Sequence, residues 1–218
     1  MNRVTLFVGE FGSGKTELAL NYAIYLKDQG FSTAIVDIDL VKPYFRTRES
    51  AAMLEERGIK VVSPEKRLAN ADLPILPLEL ASTLSDPAYH VVMDVGGGES
   101  AVVLGQFRQG ITELKPDVLM VVNTRRPFTS SPEGIIATLQ RIESVSGLTV
   151  TGLVSNTNLG TETSEDQVQE GYRIVSNTAA ELKIPIKFVV IPDWLEGRIC
   201  IDSPIFILHP YTQYPWMG

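Results

Sequence analysis

The residues with the most specific chemistry in this chain are eight in a row. Gly9-Glu10-Phe11-Gly12-Ser13-Gly14-Lys15-Thr16 follows an apolar run, Val4–Val8, and precedes a stretch of helical period. The spacing is G-x-x-x-x-G-K-[ST], placed between a strand and a helix. Glycines let a backbone curl until successive N–H groups converge on one point. A helix that begins near Gly14 adds the positive end of its dipole to that point. Converging N–H groups, a lysine and a hydroxyl suit a polyphosphate carrying a divalent cation. Lys15 can reach the β- and γ-phosphates and act on the reacting phosphate, while the Thr16 hydroxyl can ligate Mg2+. The loop therefore predicts a nucleoside triphosphate site, with Gly9, Gly12, Ser13, Gly14, Lys15, Thr16 and Glu17 around the phosphates.

Two further carboxylates are placed to join them. Val36-Asp37-Ile38-Asp39 ends a second apolar run. Period-2 alternation turns Asp37 and Asp39 to one side, with Asp39 past the strand end. There it can orient an attacking water or hold a water of the metal, which makes it both a catalytic and a metal candidate. The bland alternative is a helix cap or a surface pair. Tyr89-His90-Val91-Val92-Met93-Asp94 is another apolar strand, and it runs into Val95-Gly96-Gly97-Gly98. Asp94 is the expected partner of Thr16 on Mg2+. The glycines that follow offer N–H groups able to sense a γ-phosphate. The alternative is a strand that happens to end in Asp before a turn.

These groups need a frame. The apolar runs are Val4–Val8, Thr33–Asp37, Lys60–Ser63, His90–Asp94, Val118–Asn123, Val150–Ser155 and Ile186–Ile191. Most are apolar on both faces, as parallel strands buried between helix layers are. Helical segments near 15–29, 46–58, 99–114, 131–146 and 165–183 alternate with them. Gly30 and Gly58 supply stop signals, and Ser131-Pro132-Glu133 supplies a start. Repeated strand–helix–strand units with right-handed crossovers give an α/β fold: a three-layer, doubly wound, mostly parallel sheet of the P-loop NTPase type. Ligands in such sheets lie beyond the C-terminal strand ends, where the loop and both aspartates fall. Residues 64–87 are proline-rich and irregular, with one short helix near 77–84. The tail from Pro204 to Gly218 reads as an edge strand and a packed terminus; a partner-binding tail is the other reading.

The bulk properties set limits. The 218 residues, 44% hydrophobic and 21% charged, suit one globular domain spanning 1–218. A net charge of -7 disfavours nucleic acid and anionic membrane as partners. One cysteine, Cys200, excludes an internal disulfide and a cysteine-rich metal site. His90 reads as a structural strand residue. No run is long enough to span a bilayer, and the cytoplasm is the expected location.

Together these motifs resemble the MinD/ParA/nitrogenase-iron-protein group of P-loop proteins, which also holds CobQ/CobB-type nucleotide-binding domains (the SIMIBI class). The likeness rests on the phosphate loop, on Asp39 at the end of the second strand, on Asp94-Val95-Gly96-Gly97 and on Asn156 after a late strand. It implies ATP with Mg2+, a doubly wound sheet of about seven or eight strands, and often a nucleotide-dependent homodimer. It assigns Asn156 to the adenine, and Ile191-Pro192-Asp193 to the stretch that passes the base, so Pro192 and Asp193 join the binding set. Many members carry a second lysine directly after the first glycine of the loop, which crosses to the partner's nucleotide. Here that position is Glu10, so the usual sandwich dimer lacks its cation. Arg46 and Arg48 are candidate replacements, or else surface arginines at a helix start. Guanine recognition needs an Asn-Lys-x-Asp pattern, and Asn156-Thr157-Asn158-Leu159 has no such aspartate. Asn123-Thr124-Arg125-Arg126-Pro127 either lines the base or ribose side or is an ordinary loop.

Three functions fit. One is an ATPase that acts as a nucleotide-dependent switch for an unidentified protein partner. The second is an ATP-dependent ligase for a small-molecule substrate, of the dethiobiotin-synthetase or cobyrinate-amidating type. A full amidase would also need a glutaminase domain with a nucleophilic cysteine, for which Cys200 lies too near the end of the sequence. The third is a nucleotide-binding module with little hydrolysis. Nickel-insertion GTPases are disfavoured because His90, His209 and Cys200 do not make their metal motif. DNA-partition and membrane-positioning roles are disfavoured because the tail is not a basic amphipathic helix.

Overall fold

A computed structural model describes residues 2–38, 46–62, 78–97, 104–105 and 107–211. Side chains of residues 46–50 lie outside that description, as does the whole of Asp39. Eight strands form one sheet: β1 Val4–Val8, β2 Ser32–Asp37, β3 Lys60–Val62, β4 Tyr89–Asp94, β5 Asp117–Val122, β6 Gly152–Ser155, β7 Ile186–Pro192 and β8 Ile205–Leu208. Their order is β3-β2-β4-β1-β5-β6-β7-β8. Every pair is parallel. The chain winds outward from β1 through β2 to β3, returns at β4, and then builds the other half from β5 to β8. The loop after β1 therefore lies where the direction of winding changes, which is where doubly wound sheets bind ligands.

The period of two along β1 explains the layers. Val4, Leu6 and Val8 enter one core with Met93, Met120, Ile135, Leu139 and Val175. Phe7 enters the other with Leu18, Leu20, Leu54, Val92 and Val121. The second core is closed by α1 (Lys15–Asp28) and α2 (Arg46–Glu56). The first is closed by α3 (Leu78–Ser85), α4 (Arg108–Glu113), α5 (Pro132–Ser146) and α6 (Glu165–Leu182). Burial of each such leucine, isoleucine or phenylalanine contributes about 1.5–3 kcal/mol, and all five β1 residues are buried. The architecture is the three-layer α/β fold expected of the sequence.

Boundaries moved for identifiable reasons. Strand β6 begins at Gly152; just before it Val150 N–H is diverted to the Glu143 carboxylate at 2.7 Å, while Thr151 bonds Val118 of β5 through both its N–H, at 2.8 Å, and its hydroxyl, which accepts the Val118 N–H at 2.9 Å. Helix α5 starts where expected, with Ser131 as its N-cap and Pro132 in the first turn. Helix α6 carries a full capping box between Ser164 and Gln167. The helix expected over 99–114 is described at residues 104–105 and 108–113. The tail supplies β8 as an edge strand. Two 3-10 turns, Pro127–Thr129 and Asp193–Leu195, were not legible in the sequence. Among the described residues no helix is long and apolar enough to cross a membrane.

His90 stacks on Phe31 with ring centroids 4.2 Å apart, and its Nδ1 is buried without a hydrogen-bond partner. Burial, and secondarily the charge of Arg3, push its pKa below the ordinary histidine value. It is a packing residue of β4.

Helix α6 packs closely on the ligand end of the sheet at Gly171. A Cβ there would sit 2.0 Å from the Thr157 hydroxyl oxygen. Thr157 is itself buried and pairs with the Thr124 hydroxyl at 3.0 Å. Gly171→Ala should lower unfolding stability by about 1–3 kcal/mol through overpacking. At Gly110 a Cβ would meet nothing within 4 Å, so Gly110→Ala should leave stability equal or raise it by up to about 1 kcal/mol. Urea titrations of the two variants check this, and equal effects would contradict the packing account.

Candidate functional site

The phosphate loop is built by three glycines at positive φ: Gly9 at 144°, Gly12 at 75° and Gly14 at 88°. The one at Gly14 is required twice over. Its φ is left-handed, and a Cβ would lie 2.4 Å from Asn156 Nδ2. Ser13 N–H turns back to the Glu10 carbonyl at 3.2 Å, and α1 begins at Lys15. The N–H groups of Lys15, Thr16 and Glu17 therefore belong to the helix's first turn, which has no intrahelical acceptors for them. Lys15 is buried, and its Nζ donates to the Glu10 carbonyl at 2.7 Å.

Asn156 is positioned by the end of β6 and is buried. Its Nδ2 donates to the Ser13 carbonyl at 2.7 Å. A second asparagine, Asn158, donates to the Asn156 carbonyl at 2.8 Å, and Asn123 at the end of β5 donates to the Asn158 carbonyl at 3.0 Å. Two strand ends, those of β5 and β6, are thus laced to the loop by side-chain amides. The sequence reading picked out Asn156 and missed what Asn123 and Asn158 do. Asparagine directly after an apolar run was the available signal.

Asp94 ends β4 and is buried, in register with Phe7 of β1 on one side and Asp37 of β2 on the other. The chain after Asp94 runs against the phosphate loop: a Cβ on Gly97 would meet Phe11 N at 3.1 Å and Gly9 O at 3.7 Å. Thr16 is half-buried in the first turn of α1. A Mg2+ ion in a nucleotide site takes one or two protein oxygens and completes its shell with phosphates and water. A hydroxyl in the first turn of α1 and a buried carboxylate at the end of β4 are donors of that kind, so the chemistry of Thr16 and Asp94 fits the ion. Asp39, the third metal candidate, lies outside the described residues, as do the side chains of Arg46 and Arg48.

The loop's unusual glutamate has a partner. Glu10 forms an ion pair with Arg141 of α5. On the other flank, Arg126 Nε donates to the Gly12 carbonyl at 2.9 Å. Its neighbour Arg125 pairs with Glu170 of α6. Neither Arg126 nor Arg141 was singled out from sequence alone for a contact with the loop.

On the far side, Glu17 is buried with its carboxylate toward the C-terminal segment, accepting the Tyr211 N–H at 2.6 Å. Asn21, one helical turn on, both donates to the His209 carbonyl and accepts the His209 N–H, each at 2.8 Å. Pro192 closes β7, and Asp193 opens the 3-10 turn after it. The Asp193 carboxylate lies 3.0 Å from His209 Nδ1. Trp194 is 38% exposed beside them.

No family model matches this chain, and no curated protein matches it significantly. Solved structures do. FtsY, the cell division protein of Thermotoga maritima, aligns at 20% identity and TM-score 0.63 over 88% of this chain and 62% of its own. FlhF complexed with GTP and Mg2+ aligns at 18% identity and TM-score 0.53, over 85% of this chain and 64% of its own. The Signal Recognition Particle 54 kDa protein of Aeropyrum pernix K1, in complex with GDP, aligns at 21% identity and TM-score 0.57, over 85% of this chain and 40% of its own. The chain spans about three fifths of the first FtsY structures' length. The fold is thus the three-layer α/β fold of P-loop NTPases. The narrower likeness to MinD, ParA and CobQ proteins rests on the motifs alone.

The bond from Asn156 to the loop is testable. Asn156→Ala leaves the buried Ser13 carbonyl short of a donor, at a cost of about 1–3 kcal/mol. Global unfolding should reflect that loss, and hydrogen exchange of residues 9–16 should accelerate in the variant. Unchanged exchange across the loop would show that the bond does not hold it.

Proposed function

We propose that this chain is a Mg2+-dependent ATP-binding switch with ATPase activity that acts on a protein partner. The observation that supports the reading best is the complete phosphate loop with the Asp94 strand beside it and Gly97 against its tip. The converging N–H groups bind the phosphates, and Lys15 exchanges its bond to the Glu10 carbonyl for phosphate oxygens. Thr16 and Asp94 hold the metal, which when bound neutralises charge on the β- and γ-oxygens. Asp39 is the residue proposed to orient the attacking water. Gly97 lies against the loop, so a change at the γ-phosphate would reach the segment after Asp94 directly and pass to the surface that a partner would read. Glu10 already pairs with Arg141 within the chain, so it brings no cation to a second copy's nucleotide. A separate protein is therefore preferred over a sandwich homodimer.

Adenine is favoured by the base-side sequence. Asn156-Thr157-Asn158-Leu159 carries Leu159, 41% exposed, where guanine recognition needs a carboxylate. GTP is the second reading, because FlhF and the Signal Recognition Particle protein of similar fold hold guanine nucleotides.

Calorimetric titration with ATP and GTP, with and without Mg2+, tests both. ATP should bind more tightly than GTP, and chelation should weaken it. Lys15→Ala removes charge-assisted hydrogen bonds of about 1.5–3 kcal/mol, so affinity should fall about 10–100-fold. Tighter GTP binding would select the second reading, and no binding of either nucleotide would overturn both.

A further inference from the structure

We propose that Arg126 is a phosphate-contacting residue, a cation supplied from the loop after β5 to the bound triphosphate. The proposal rests on the nucleotide-binding reading above and adds a residue to that site. Among the described residues Arg126 and Arg141 contact the phosphate loop, and Arg125 adjoins Arg126; two of these three are neutralised. Arg141 pairs with Glu10, and Arg125 pairs with Glu170. Arg126 has no carboxylate within ion-pair distance among the described residues. It nonetheless lies on the loop. Its Nε donates to the Gly12 carbonyl, and a Cβ on Gly12 would meet its Nε at 3.1 Å and its Cζ at 3.2 Å. Gly12 is required by its φ of 75°, and a Cβ there would press on this guanidinium.

A guanidinium has five N–H donors in a planar fork. The contact with Gly12 uses the one on Nε, and Arg126 stays exposed. The fork's other edge is thus available to an anion that enters from solvent. Anchoring through Nε also limits the conformations the side chain must give up on binding, which favours contact. The charge has a purpose. With Glu10 and Arg141 cancelling, Lys15 is the only cation that the loop's own residues bring to a multiply charged triphosphate. Arg126 supplies a second from the same chain. The preceding Asn123 fixes its approach: Asn123 Oδ1 accepts the Arg125 N–H at 3.0 Å, and the Asn123 carbonyl accepts the Arg126 N–H at 3.1 Å.

The test compares wild type, Arg126→Ala, Arg126→Lys and Arg125→Ala for affinity toward the nucleoside triphosphate and the matching diphosphate, at two salt concentrations. Loss of a charge-assisted contact corresponds to about a tenfold or greater loss in triphosphate affinity for Arg126→Ala. The diphosphate should be affected less, the salt dependence should become shallower, and Arg126→Lys should recover part of the loss. Arg125→Ala should bind as wild type does. If Arg126→Ala binds the triphosphate within about twofold of wild type, the proposal fails while the nucleotide reading stands. Equal losses for both nucleotides without recovery in Arg126→Lys would also overturn it, because Arg126 would then only brace Gly12. Absence of binding by wild type would bring down both readings.

Discussion

The hydrogen bond from Asn156 to the Ser13 carbonyl is the constraint on which the ligand end of the fold depends. A phosphate loop points its N–H groups inward, so its carbonyls must find donors elsewhere or face the interior unpaired. Here the neighbouring strand ends provide them. Asn156 reaches Ser13 from β6, Arg126 reaches Gly12 from beyond β5, and Lys15 covers the Glu10 carbonyl from within. The sheet is the reason these donors arrive together. Parallel strands β1, β5 and β6 end side by side, and each delivers its next residue to the same place.

The electrostatics of the loop follow from one substitution. A glutamate beside a polyphosphate site would repel the ligand if left alone. Its pairing with Arg141 removes that repulsion and ties the loop to α5. The 3-10 turn at Pro127–Thr129 redirects the chain between β5 and α5, so both arginine contacts with the loop come from one continuous stretch.

The architecture was legible because its signals are local. Buried parallel strands are apolar on both faces, and helix starts such as Ser131-Pro132 name themselves. The phosphate loop was legible because its spacing is rare outside that structure. Asn156 was read as a base-binding residue, and its contact with the Ser13 carbonyl was not foreseen. What stayed hidden was pairwise and long-range. Nothing near Glu10 in sequence announces Arg141, which lies far along the chain on a helix of otherwise ordinary pattern. Arg125 and Arg126 look interchangeable as letters. Only their positions on a tight turn send one to Glu170 and the other to Gly12. The nucleotide's base was the least legible feature, since it depends on a few polar contacts rather than on a periodic pattern.

The clasp of α1 on residues 209–211 has a consequence of a different sort. Glu17 and Asn21 grip main-chain groups of Tyr211 and His209 and ignore their side chains. Bonds of this kind read the main chain at positions 209 and 211, and proline is the residue type they exclude. Proline at either position lacks the N–H that α1 takes hold of. The helix that carries Lys15 and Thr16 thus sets a grammatical rule for the end of the sheet, one that is visible as forbidden prolines rather than as retained side chains.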